Sequence, residues 1–79
     1  MTNLEKYNEV FSKTFEITED KLVGLKYQDI ELWDSVGHMT LVANLEDAFD
    51  IMMETDDIID LNSYEKGQEI LAKNYEVEF

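Results

Sequence analysis

Asp34, Ser35 and His38 put a carboxylate, a hydroxyl and an imidazole close together in the run Trp33-Asp34-Ser35-Val36-Gly37-His38-Met39. In one chemistry, the imidazole draws the proton from the hydroxyl, Ser35 becomes a nucleophile, and Asp34 is the third member. The order argues against it: Asp34 lies on the wrong side of the serine to orient His38. The glycine-flanked elbow and separate oxyanion donors of hydrolases are also missing. In another chemistry Ser35 is an attachment point, one hydroxyl between an acid and an apolar helix in a chain without cysteine. A chemically silent role also exists, because an Asp-Ser pair is a common way to cap a helix. Catalysis by the chain itself is not expected, and His38 is read as a helix-packing residue.

All three roles require a helix after Asp34. From Ser35 to about Asp50 the apolar spacing is helical, and Asp34 is a good candidate N-cap. At about 100° per residue, Leu41, Val42, Leu45, Ala48 and Phe49 gather on one broad face, which is assigned to the core. Val36, Met39 and Ala43 form a second stripe, bordered by Thr40, Glu46, Asp47 and Asp50. That stripe either packs under another segment or serves as a docking surface for a partner helix or basic cleft. The acids at the far end oppose the helix dipole, so they call for a reason beyond helix stability.

The other elements follow from the same signals. Thr2-x-x-Glu5 fits a capping box, and Leu4, Tyr7, Phe11 and Phe15 share one face of a helix expected to end by Glu16 or Ile17. Residues 17 to 34 lack sustained periodicity and contain Gly24, which predicts a long loop anchored by Leu22, Leu25, Ile30, Leu32 and Trp33, with a short helical turn after Thr18. Connections this long are unusual and tend to be functional. Thr55 is the candidate cap of a short helix over Asp56 to Leu61. Asn62 or Ser63 opens a last helix, with Asn62-x-x-Glu65 resembling a second capping box and Tyr64, Ile70, Leu71 and Tyr75 as anchors. The expected fold is all-α, a small irregular four-helix bundle of three longer helices and one short, in a single domain over residues 1–79.

Composition narrows the partners. With 79 residues there is room for one thin core and little for a deep catalytic cleft. Zero prolines and three glycines provide too little punctuation for a many-stranded β fold. Nineteen acidic residues against six basic ones, all lysine, give a net charge of −13, which repels nucleic acid and anionic membranes and favours a partner with a basic patch. The absence of cysteine excludes disulfides and thiolate metal sites. No stretch reaches the roughly 20 apolar residues of a membrane span and no secretion signal is present, so a cytoplasmic monomer is expected. Asp50, Glu54, Asp56, Asp57 and Asp60 lack the spacing of an EF-hand and predict only diffuse cation binding. Met39, Met52 and Met53 read as adaptable packing, with Met39 also suited to a partner contact.

The stretch from Trp33 to Phe49 resembles, without a gap, the phosphopantetheine site of acyl carrier proteins, in which a serine after aspartate heads the second helix. The resemblance extends through Asp50, Met53, Ile58, Leu61 and Leu71 and covers most of the chain. It implies that Ser35 receives a 4'-phosphopantetheine arm from coenzyme A, through a phosphopantetheinyl transferase that uses magnesium, with Asp34 in support. The arm would carry an acyl or aminoacyl cargo as a thioester. Val36, Met39, Ala43, Glu46 and Asp47 would meet the ligases, synthases and transferases that handle the cargo. The resemblance further implies that the long loop and the third helix yield to let a cargo chain tuck among the helices.

Two positions depart from the fatty-acid members of the family. Gly37 stands where many have an acid, and Thr40 replaces an acid on the docking face. Asp-Ser-aliphatic-Gly is similar to aminoacyl carriers, and Trp-Asp-Ser followed by His-Met is similar to stand-alone carriers of specialised pathways. Fatty-acid, polyketide, polysaccharide and aminoacyl routes all stay open. The alternative function is an unmodified acidic helical interaction module.

Overall fold

A computed structural model describes residues 1–79 as an all-helical chain measuring 29 × 27 × 20 Å. Helix α1 spans Asn3–Phe15, a single 3-10 turn spans Glu19–Lys21, α2 spans Ser35–Phe49, α3 spans Thr55–Asp60 and α4 spans Tyr64–Asn74. Three longer helices and one short one agree with the periodicity.

Three of the four helices begin at a residue whose side chain caps the first turn. The Thr2 hydroxyl accepts from the Glu5 amide at 3.1 Å, and the Glu5 carboxylate accepts from the Thr2 amide at 2.9 Å, so the expected capping box is formed. That backbone bond, with the Thr2 hydroxyl, holds the Glu5 carboxyl below the ordinary glutamate range. Helix α1 stops after Phe15 because Glu16 turns left-handed, and Asp50 ends α2 in the same way. One expected cap is corrected, and one choice left open by the sequence is decided. Glu54, not Thr55, is the N-cap of α3 and gives no side-chain bond. Helix α4 is capped by Ser63, whose hydroxyl accepts from the Lys66 amide at 3.0 Å. The Asn62–Glu65 box does not form, because the Glu65 carboxylate accepts from the distant Gly24 amide at 2.9 Å.

One aromatic cluster organises the core. Tyr7, Phe11 and Phe15 from α1 meet Trp33 from the loop and Tyr64 from α4, with ring centres 4.9–5.9 Å apart. Leu41, Val42 and Leu45 of α2 complete it against α1, with Leu22, Leu25, Met53, Leu61, Ile70, Leu71 and Val77 around them. Ala48 and Phe49 lie half-buried at its edge. Two expected anchors fail: Leu4 and Leu32 are exposed. Their neighbours Tyr7 and Trp33 already fill the space toward the core, and both of those are wholly buried.

Gly67 allows α4 to approach, since a methyl group there would overlap the Tyr7 hydroxyl and the Leu61 side chain. The Tyr7 hydroxyl donates to the Tyr64 carbonyl at 2.6 Å, and burial pushes its ionisation far above the ordinary tyrosine range.

The long loop is anchored along its length. Its 3-10 turn follows Thr18 as expected. Lys26 pairs with Ser63 in an isolated antiparallel bridge, with Tyr27 N–H donating to Asn62 O at 2.9 Å and Tyr64 N–H to Leu25 O at 2.8 Å. Beyond the bridge the chain folds on itself: Gln28 N–H donates to Trp33 O at 3.0 Å and Trp33 N–H to Ile30 O at 3.1 Å. The loop thus arrives at Asp34 with a fixed direction.

Candidate functional site

The start of α2 is set by three residues. Asp34 is extended, and its carboxylate accepts from the Gly37 amide at 2.8 Å while its carbonyl accepts from the His38 amide at 2.7 Å. The capping role expected of Asp34 is therefore filled. Gly37 has a steric purpose that the sequence alone did not reveal: a methyl group at this position would overlap the Leu32 carbonyl oxygen. The loop backbone lies against the first turn of α2, and only glycine leaves room for it.

Ser35 is the first residue of α2 and is exposed. The amides of Ser35 and Val36 have no acceptor within the chain. Two unpaired N–H groups and the positive end of a helix dipole suit a phosphodiester attached at Ser35. Asp34 opposes part of that benefit by its own charge, though its carboxylate is occupied by Gly37. On these observations the residues present fit a phosphopantetheine arm.

His38 and Ser35 do not form a nucleophilic pair. The imidazole Nδ1 lies 3.0 Å from Trp33 Nε1 and the Nε2 lies 2.8 Å from the Ile58 carbonyl, so both ring nitrogens are committed elsewhere. The ring lies near-parallel to the Trp33 indole, at 13° with centres 6.3 Å apart, and Tyr27 is edge-on at 5.6 Å. Read from sequence as a helix-packing residue, His38 packs between the loop, α2 and α3. The chain's one histidine, five places after its one tryptophan, was the available signal.

The second stripe on α2 faces outward. Val36 is 74% exposed and Met39 53%, and Ala43 and Thr40 are exposed beside them. Asp47 is exposed too, toward α1, in a shallow depression shared with Glu9, Lys13 and Asn44. Glu46 has a different position. It is half-buried, and its carboxylate accepts from the Met53 amide at 2.8 Å. This bond fastens the α2–α3 connection and supplies the reason for an acid so near the end of α2.

Between Tyr27 of the loop, His38 of α2, and Ile58, Ile59, Leu61 and Asn62 lies a partly open cavity of about 230 Å³. It begins one helical turn beyond Ser35. Helix α3 forms one wall yet contributes no buried residue. At its N-terminal end, Glu54 N–H donates to the Tyr75 hydroxyl at 2.7 Å. That hydroxyl donates to Asp57 at 2.6 Å, and Asn74 donates to the other Asp57 oxygen at 2.9 Å. Burial, and the bond donated to Asp57, raise the Tyr75 hydroxyl above the ordinary tyrosine range. No helix is long and apolar enough to cross a membrane.

Comparison of the chain with protein-family models, with curated proteins and with solved structures finds no match.

Proposed function

We propose that this chain is a carrier protein whose Ser35 hydroxyl takes a 4'-phosphopantetheine arm from coenzyme A and presents an acyl or aminoacyl cargo to biosynthetic enzymes. The observation that carries the proposal is the setting of Ser35: exposed, first in α2, beside two unpaired amides and at the head of an exposed apolar stripe. When bound, the arm supplies the thiol that the chain lacks and holds the cargo as a thioester. The chain's own residues bind and orient. Asp34 fixes the first turn through Gly37, and the free amides of Ser35 and Val36 would donate to the phosphate oxygens.

Val36, Met39 and Ala43 offer apolar contact to partner enzymes, with Asp47 and the rim acids steering basic clefts toward it. Glu46 adds charge to that surface while one of its oxygens holds Met53. The protein catalyses no step itself. Its partners are the transferase that loads the arm and the ligases, synthases or transferases that charge and discharge it.

Intact mass after incubation with coenzyme A, magnesium and a broad-specificity phosphopantetheinyl transferase tests the proposal. The expected result is a gain of one phosphopantetheine by the wild-type chain and none by Ser35→Ala. No gain with several active transferases would sink it and leave the unmodified interaction module in its place.

A further inference from the structure

His38 is the chain's only histidine and Trp33 its only tryptophan, and the fold joins them in one hydrogen bond. An indole N–H can only donate, so the imidazole Nδ1 that faces it at 3.0 Å must accept and carries no proton. The neutral ring then has its hydrogen on Nε2, which donates to the Ile58 carbonyl at 2.8 Å. Both bonds require the same tautomer. A second proton would set an Nδ1–H against the indole N–H, donor against donor, and that contact must open. The Ile58 bond, now charge-assisted, would strengthen instead.

The surroundings offer the extra charge no direct partner. From the loop, Tyr27 is the titratable side chain against the ring, and Trp33 is neutral. From α3 come Ile58 and Ile59, while Leu61 and Asn62 complete the wall. Asp57 is taken by Tyr75 and Asn74, and Asp56 and Asp60 are exposed. On its own helix, one turn back, the Asp34 carboxylate is taken by the Gly37 amide. Neither salt bridge of the chain reaches His38. The ring is half-buried at the cavity, so a proton can reach it.

We propose that His38 is a proton-operated joint between the loop, α2 and α3. Neutral, it holds Trp33 and Ile58 in register along the cavity wall. Protonated, it releases Trp33, swings with the Ile58 carbonyl toward the open cavity, and loosens the corner beside Ser35. The joint operates whether or not Ser35 bears an arm.

The single tryptophan makes the test direct. Trp33 fluorescence and the indole N–H resonance are followed from about pH 8 to about pH 5, the range in which histidine is the side chain that ordinarily changes charge. Amide exchange at Ile58 and Leu61 is measured alongside and corrected for the intrinsic effect of pH. The expected result is a one-proton transition in both Trp33 signals as the indole bond opens, while Ile58 and Leu61 keep their protection because the bond to the Ile58 carbonyl is retained. In His38→Gln the transition disappears.

Imidazole nitrogen shifts of the wild-type chain near pH 8 keep the proposal testable if that variant does not fold, and a bare Nδ1 with a protonated Nε2 is expected. A transition that persists in His38→Gln, a silent indole signal in the wild type, or the opposite tautomer would each overturn it.

Discussion

Around α1, side chains do the holding. Tyr7, Phe11 and Phe15 are buried against Trp33, Tyr64 and the inner face of α2. Around α3 no residue of the helix is buried, and Ile59 is 70% exposed. Apart from half-buried Ile58, which packs at the edge of the core, its attachments are single hydrogen bonds, from His38 at one place and from Tyr75 and Asn74 at another. Burial of apolar surface is non-directional and shared among many neighbours, so the α1 side yields only as a unit. Directional bonds can be broken one at a time. The same small fold therefore has a side that preserves shape and a corner that can change it, with Ser35 where the two meet.

Phe11→Ala gives the largest expected effect. It should cost about 3–5 kcal/mol, read from the denaturation midpoint, and lower amide protection throughout the chain. A loss below about 1 kcal/mol would mean that the aromatic cluster is not the unit described. Gly37→Ala comes next, at about 1–3 kcal/mol, because the added methyl must displace the Leu32 carbonyl. Its exchange changes should centre on residues 30–38. If they spread evenly instead, the loop and α2 are not a local junction.

Tyr75→Phe is the smallest, about 1 kcal/mol. It removes the donor to Asp57 and the acceptor for the Glu54 amide, so exchange should rise in α3 while the global midpoint barely moves. The wild-type clamp has a pH signature of known sign. The Tyr75 hydroxyl is raised above the ordinary tyrosine range, so its contribution is fully present below about pH 10 and is lost as pH rises through that higher range. A global loss as large as that of Phe11→Ala would erase the contrast between the two regions.

The helices were legible because caps and apolar spacing are local signals. Thr2 with Glu5, and Asp34 before Ser35, act within one turn of chain and are found where the spacing puts them. The outward stripe of Val36, Met39 and Ala43 was legible as a second face, though only the fold could decide between burial and exposure. What sequence could not supply were choices between a near partner and a far one. Glu65 had Asn62 close by and went to Gly24; His38 read as a packing residue, but its partners Trp33 and Ile58 came only with the fold. Gly37 read as a departure from a charged position, yet its cause is a carbonyl from the loop.

The bridge between Lys26 and Ser63 bears on the order in which a growing chain can complete itself. The two residues come from opposite halves of the sequence, and closing so long a span is slow and unrewarded until both partners exist. Asp34 can engage Gly37 as soon as both are made. The Ile58 contact and the closed loop wait for the C-terminal half. During synthesis the Asp-Ser pair is therefore present long before its platform, and a partner that requires the assembled corner would discriminate finished molecules from nascent ones.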